Sequence, residues 1–152
     1  MQTPKFAHVA KPFHVELKNR INEYFDTTGK ATTGGARLFG KAAFLILAFT
    51  YTYIQLVFFT PGTLLAILLS VLLGALTAAI GFNVMHDGGH GSFSKYAAIN
   101  KSAAITAEIL GASHFIWNVK HNVIHHAYTN IDGVDDDIDA KPFLRMASTQ
   151  KR

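Results

Sequence analysis

The stretch AAFLILAFTYTYIQLVFFTPGTLLAILLSVLLGALTAAIGFNVM, residues 42–85, contains no aspartate, glutamate, lysine or arginine. It divides at Thr60-Pro61-Gly62 into two apolar runs, Ala42 to Phe59 and Thr63 to Met85. At about 1.5 Å of rise per residue, each run can cross a hydrocarbon layer about 30 Å thick. A soluble helix is rarely apolar all round, because one side meets water. The reading is therefore an all-α membrane protein in which residues 42–85 form a transmembrane hairpin, with spans at about 42–59 and 63–85.

Working outward, residues 1–41 form an N-terminal segment that is mostly polar, so the first apolar run lies too deep to be a cleaved signal peptide and reads as a retained anchor. Within it, Pro12 to Thr28 has Leu17, Ile21, Tyr24 and Phe25 at helical spacing, with Glu16, Lys18, Arg20, Asn22 and Glu23 on the other face. That pattern predicts an amphipathic helix, stopped by Gly29, that lies in the headgroup plane or packs as a surface helix. Thr32-Thr33-Gly34-Gly35 reads as a loop and Lys41 as an interfacial anchor. Inside the second run, Gly74, Ala75, Ala78, Ala79 and Gly81 make a small-residue side suited to close helix packing.

The net charge of +4 changes meaning once it is divided by segment. Residues 1–41 carry seven Lys or Arg against three acids, residues 86–152 carry seven against seven, and the hairpin turn carries none. Basic residues stay on the cytoplasmic side, so both ends of the hairpin are expected in the cytoplasm. No basic patch points to nucleic acid. There is no cysteine, so thiolate ligands are excluded and any metal must be held by nitrogen or oxygen.

Residues 86–152 hold the chemistry. Five of the eight histidines fall in two clusters, His86-Asp-Gly-Gly-His90 and His121-Asn-Val-Ile-His125-His126. On an α-helix, His86 and His90 share one face, as do His121 and His125, while His126 points about 100° away from His125. Gly88 and Gly89 are poor helix formers, so either something packs closely there or the helix loosens. Ser102 to Val119 reads as an interfacial or re-entrant helix, followed by an acidic loop from Asn130. Isolated His8, His14 and His114 read as ordinary polar residues. A zincin would need a glutamate directly after its first histidine, and a soluble di-iron bundle would need Glu-x-x-His pairs; neither pattern is present.

HDGGHGSF at residues 86–93 and WNVKHNVIHHAYTNIDGVDDDID at residues 117–139 resemble the first and second histidine boxes of the membrane fatty acid desaturases, in the bacterial acyl-lipid or acyl-CoA branch. The resemblance runs over roughly residues 10–152. It implies a non-haem centre of two iron ions that uses O2 and two external electrons to introduce a double bond into an acyl chain. His86, His90, His121, His125 and His126 would be the iron ligands, and the substrate a fatty acyl-CoA or acyl-lipid. The electron donor would be a ferredoxin or a cytochrome b5-type protein, and the location a bacterial inner membrane with N-terminus and boxes cytoplasmic. Asn83, Asp87, Asn118, Asn122, Asp135, Asp136 and Asp137 are candidates, on chemical grounds, to orient the ring nitrogens.

The family carries a third histidine box after two further spans, and neither lies within residues 86–152, which read as a truncated desaturase domain. The expectation is an N-terminal part of such an enzyme, incomplete and inactive alone. Two alternatives stay open: a membrane di-iron hydroxylase, and a non-enzymatic membrane protein that binds metal or haem. A metal transporter fits poorly, because nothing ionisable lies inside either span.

Overall fold

The computed structural model describes residues 12–150; His8 and the outermost residues of the two terminal segments lie outside that range. The described residues are all-α, with no strand. They divide into two compact units, one from Thr33 to His114 and one comprising Phe115 onward with the segment up to Thr32.

The Thr33–His114 unit is built on the apolar hairpin. Helix α2 runs from Ala36 to Phe58 and α3 from Thr63 to Ile80. The first helix starts six residues ahead of the apolar run, so Arg37 and Lys41 occupy its opening turns. The helical stretches Ala36–Phe58 and Thr63–Gly89 are both long and apolar enough to cross a membrane. Only 11% of each is buried within the protein, so side chains such as Phe44, Leu47, Phe58, Leu64 and Val71 face outward. That exposure suits a hydrocarbon solvent and not water.

Helices α2 and α3 pack on each other, with Ala42 and Thr52 of one and Leu76 and Ile80 of the other buried. The small residues expected to make the helix contact do not all do so: Gly74, Ala75 and Ala78 are exposed, and the branched side chains Leu76 and Ile80 fill the buried positions instead. The core continues through Val84, Phe93 and Ala103, lined by Leu38, Leu45, Phe49 and Leu110. It therefore ends beneath the first histidine cluster.

The single helix expected over Ser102–Val119 is not formed. Helix α5 spans Ala97–Ala104 and α6 spans Thr106–Ile109, after α4 at His86–Gly89. Gly111 then adopts φ +85°, a left-handed conformation that ends a helix and that other residues adopt only at a cost. Helix α7 restarts at His114 and ends at Trp117, where Glu108 Oε1 accepts the His114 backbone N–H at 3.1 Å.

In the other unit, α1 spans Pro12–Thr28 and stops as expected at Gly29, whose φ is +63°. Its Leu17, Ile21 and Tyr24 are exposed. From Asn118 to His125 the chain forms a π-helix, followed by α8 at His126–Tyr128 and a 3-10 turn at Asp136–Ile138.

Candidate metal centre

Helix α3 does not run straight into the first cluster. Residues Gly81–Met85 widen into a π-turn, closed by the His86 N–H donating to Gly81 O. Such widened turns carry one residue more between bonded groups than an α-helix, and they recur at functional sites. Asn83 sits in this turn. Its Nδ2 donates to Ala79 O at 2.7 Å and its Oδ1 accepts from Lys41 Nζ at 2.8 Å. Lys41, expected as an anchor at the interface, thus also ties the start of α2 to the widened turn.

Immediately after it, His86 and His90 face each other with ring centroids 4.4 Å apart and Nε2 atoms at 3.2 Å. Two nitrogens each about 2.1 Å from one ion and at right angles around it stand about 3 Å apart. The pair therefore fits a shared metal ion. Asp87 Oδ1 lies 3.5 Å from His86 Nδ1, too long for a strong hydrogen bond.

Between the two histidines, Gly88 is buried against α5. A Cβ built there would stand 2.6 Å from Ala103 Cβ, 2.6 Å from Ala104 N and 2.7 Å from Asn100 O. Of the two explanations for the glycines, close packing holds at Gly88, while the loosening occurs one turn earlier.

The second cluster is organised by rings and carboxylates. Trp117, His121 and His125 stack in sequence, with centroids 4.8 and 4.9 Å apart and interplanar angles of 19° and 13°. His126 meets His121 edge-on at 5.0 Å and His125 at 5.4 Å. An α-helix would turn His126 about 140° from His121. The wider π-turn, closed by the His126 N–H donating to His121 O, brings it nearly back round, so all three rings gather.

Two aspartates hold the Nδ1 side. Asp137 Oδ2 lies 2.5 Å from His121 Nδ1, and the Asp135 carboxylate accepts from His125 Nδ1 at 2.9 and 3.0 Å. A carboxylate on Nδ1 fixes the tautomer, makes Nε2 the lone-pair nitrogen and raises its basicity. The donor atoms of His121, His125 and Asp137 lie within 4.8 Å of one another.

Asp135 is the anchor. Its side chain is fully buried and also accepts the backbone N–H groups of Asn130 at 2.8 Å and Asp137 at 3.1 Å. Burial pushes its carboxyl up, but the hydrogen bonds from His125, Asn130 and Asp137 and the charge of His125 outweigh that and leave it below the ordinary value. The other residues singled out in the sequence have different partners. Asp136 pairs with Lys120 at 3.0 Å in an exposed position, and Asn122 Nδ2 donates to Asn118 Oδ1 at 2.7 Å. Trp117 and Lys41 were not among the candidates; the aromatic four residues before His121 was the signal available for the first.

Residues 61–152 match the family described as fatty acid desaturase. The sn-1 linoleoyl-lipid 6-desaturase of Arthrospira platensis is 36% identical over 140 residues, covering 91% of this chain and 38% of its own length. The corresponding protein of Synechocystis is 31% identical, over 91% of this chain and 39% of its own. An acyl-lipid (8-3)-desaturase of Physcomitrium patens is 29% identical, over 92% and 30%. The chain thus spans about a third of the length of these curated relatives. No solved structure matches it.

Proposed function

The chain belongs to the fatty acid desaturase family, and from that premise we propose that it carries histidine ligands of an iron centre that desaturates the acyl chains of membrane lipids. The observation that supports this most is the second cluster, where His121 and His125 each have Nδ1 on an aspartate, the arrangement that prepares imidazole for a metal. The first pair adds two converging Nε2 atoms. In this reading His86, His90, His121, His125 and His126 hold two irons. Asp137 and Asp135 orient His121 and His125.

Each part of the chain then has a task. The hairpin of residues 42–85 anchors the protein in a bacterial inner membrane, with the N-terminus and both clusters on the cytoplasmic side. The apolar surface around α3 keeps the acyl chain in hydrocarbon up to the edge where the histidines begin, which keeps water from the reacting methylenes. The aspartates hold a proton on each Nδ1, so that Nε2 is the nitrogen each ring presents to a metal. Iron, when bound, would supply the O2 chemistry that removes one hydrogen from each of two adjacent methylenes, with O2 going to water. The two further electrons would come from a ferredoxin or cytochrome b5-type donor, and the acyl group would be carried on a lipid or on CoA.

The test has two stages. The purified chain in detergent, loaded anaerobically with Fe(II), is expected to retain iron in a manner lost when His121 and His125 are replaced by alanine. Fatty acids from the membranes of cells expressing a complete homologous enzyme that carries this segment are then analysed by mass spectrometry for new double bonds. Absence of histidine-dependent iron would sink the proposal. A hydroxylated acyl chain without a new double bond would identify a hydroxylase instead.

A further inference from the structure

We propose that Asn100 is a positioning residue for the His86–His90 pair, acting by locking the loop through which the chain leaves His90. The proposal deepens the metal reading above and rests on it.

The loop begins where α4 ends. Gly91 takes φ +70°, and the chain folds back over Asp87, whose carbonyl accepts the Ser92 and Phe93 N–H groups at 2.9 and 3.1 Å and the Ser92 hydroxyl at 3.1 Å. This leaves the other edge of the loop to be satisfied. The Asn100 side chain does so with three bonds: Nδ2 donates to Gly91 O at 3.0 Å and to Ser94 O at 2.8 Å, and Oδ1 accepts the Ser94 N–H at 2.7 Å. Ser94 is buried beneath it.

Asn100 also acts through its backbone. Its carbonyl oxygen is one of the three atoms against Gly88, the residue midway between the two histidines. One residue of α5 therefore touches the histidine-bearing helix from the side and closes the loop at its end. The chemistry selects asparagine, since two donors and one acceptor are needed at short reach. Aspartate would keep the acceptor and set a second oxygen against two carbonyls; glutamine would carry the amide one methylene too far.

The test uses the whole chain, labelled with 15N-histidine in detergent micelles. In Asn100→Ala the ring signals of His86 and His90 are expected to shift or broaden without metal, while those of His121, His125 and His126 hold and helicity by circular dichroism is retained. Cobalt(II) binding is expected to weaken about tenfold, in the range seen when groups that orient metal ligands are removed. Lys101→Ala, an exposed change on the same helix, should move neither reading. Should Asn100→Ala lose helicity, the same readings on the isosteric Asn100→Asp decide, and it is expected to behave like the alanine variant. Unchanged His86 and His90 signals in a folded variant, or Asn100→Asp behaving as wild type, overturn the proposal. A wild-type chain that binds no cobalt while the two ring signals still shift would sink the metal reading and support the clamp.

Discussion

Replacing Asp135 by asparagine should open the loop that holds the second cluster, by an amount that follows from its contacts. Oδ1 accepts from His125 Nδ1 at 2.9 Å and the Asp137 N–H at 3.1 Å; Oδ2 accepts from His125 Nδ1 at 3.0 Å and the Asn130 N–H at 2.8 Å. Asparagine fits the space. Whichever oxygen becomes the amide nitrogen, however, one backbone N–H then faces a donor in a buried position. A buried unsatisfied donor costs about 1–3 kcal/mol, and losing the charged acceptor of His125 adds about 1 kcal/mol. The local opening free energy should therefore fall by about 2–4 kcal/mol. At about 1.4 kcal/mol per tenfold, that is roughly 30- to 700-fold faster exchange of the loop amides. Hydrogen exchange read by mass spectrometry on peptides covering residues 129–140 of the metal-free chain measures it. Rates within about threefold of wild type would refute the reasoning.

The same clasp has a defined acid limit. A carboxyl held below its ordinary value contributes its stabilisation above the unfolded pKa and loses it as pH falls through the folded one. The His125 contact should therefore persist down to about pH 4 and give way only below it, since Nδ1 donates whether or not the ring is charged. Histidine ring NMR from neutral pH downward follows this, and loop opening near pH 6 would contradict it.

Two further outcomes are expected. Gly88→Ala gains about 1 kcal/mol of helix propensity but sets a methyl 2.6–2.7 Å from α5 atoms, two of them backbone, where overpacking costs about 1–3 kcal/mol. Its melting temperature in micelles should fall, and a rise would show that the close approach is not real. Asp137→Asn should weaken cobalt(II) binding about 10- to 100-fold, whereas Asp136→Asn, which breaks only the exposed pair with Lys120, should cost little. Equal effects by calorimetric titration would remove the distinction between the two aspartates.

The hairpin was legible because a charge-free stretch of this length has few physical solutions. The amphipathic helix ending at Gly29 was legible for a similar reason, since its period and its stop signal agree. The gathering of His126 with His121 and His125 was not, because α-helical winding sets these rings at a different angle and the chain winds more widely there. No propensity marks a π-turn. It arises where packing and bonds such as those of Asn83 favour one extra residue. The break at Gly111 carried a readable signal, a glycine at a helix end, which the moderate hydrophobicity of Ser102–Val119 obscured. The acidic group 135–137 was visible as a group, but the assignment of Asp135 and Asp137 to rings and Asp136 to Lys120 depends on a 3-10 turn that separates neighbours by direction.

The π-winding from Asn118 to His125 makes residue count, and not only residue type, a determinant of this site. A substitution at an outward position such as Val123 leaves every ring in register. With the residue count unchanged, a return to α-helical pitch would carry His126 about 140° round from His121, away from the other two rings. Winding and residue count therefore compensate each other in this short helix: one residue fewer at α-helical pitch would leave His126 four positions after His121 and on the same face.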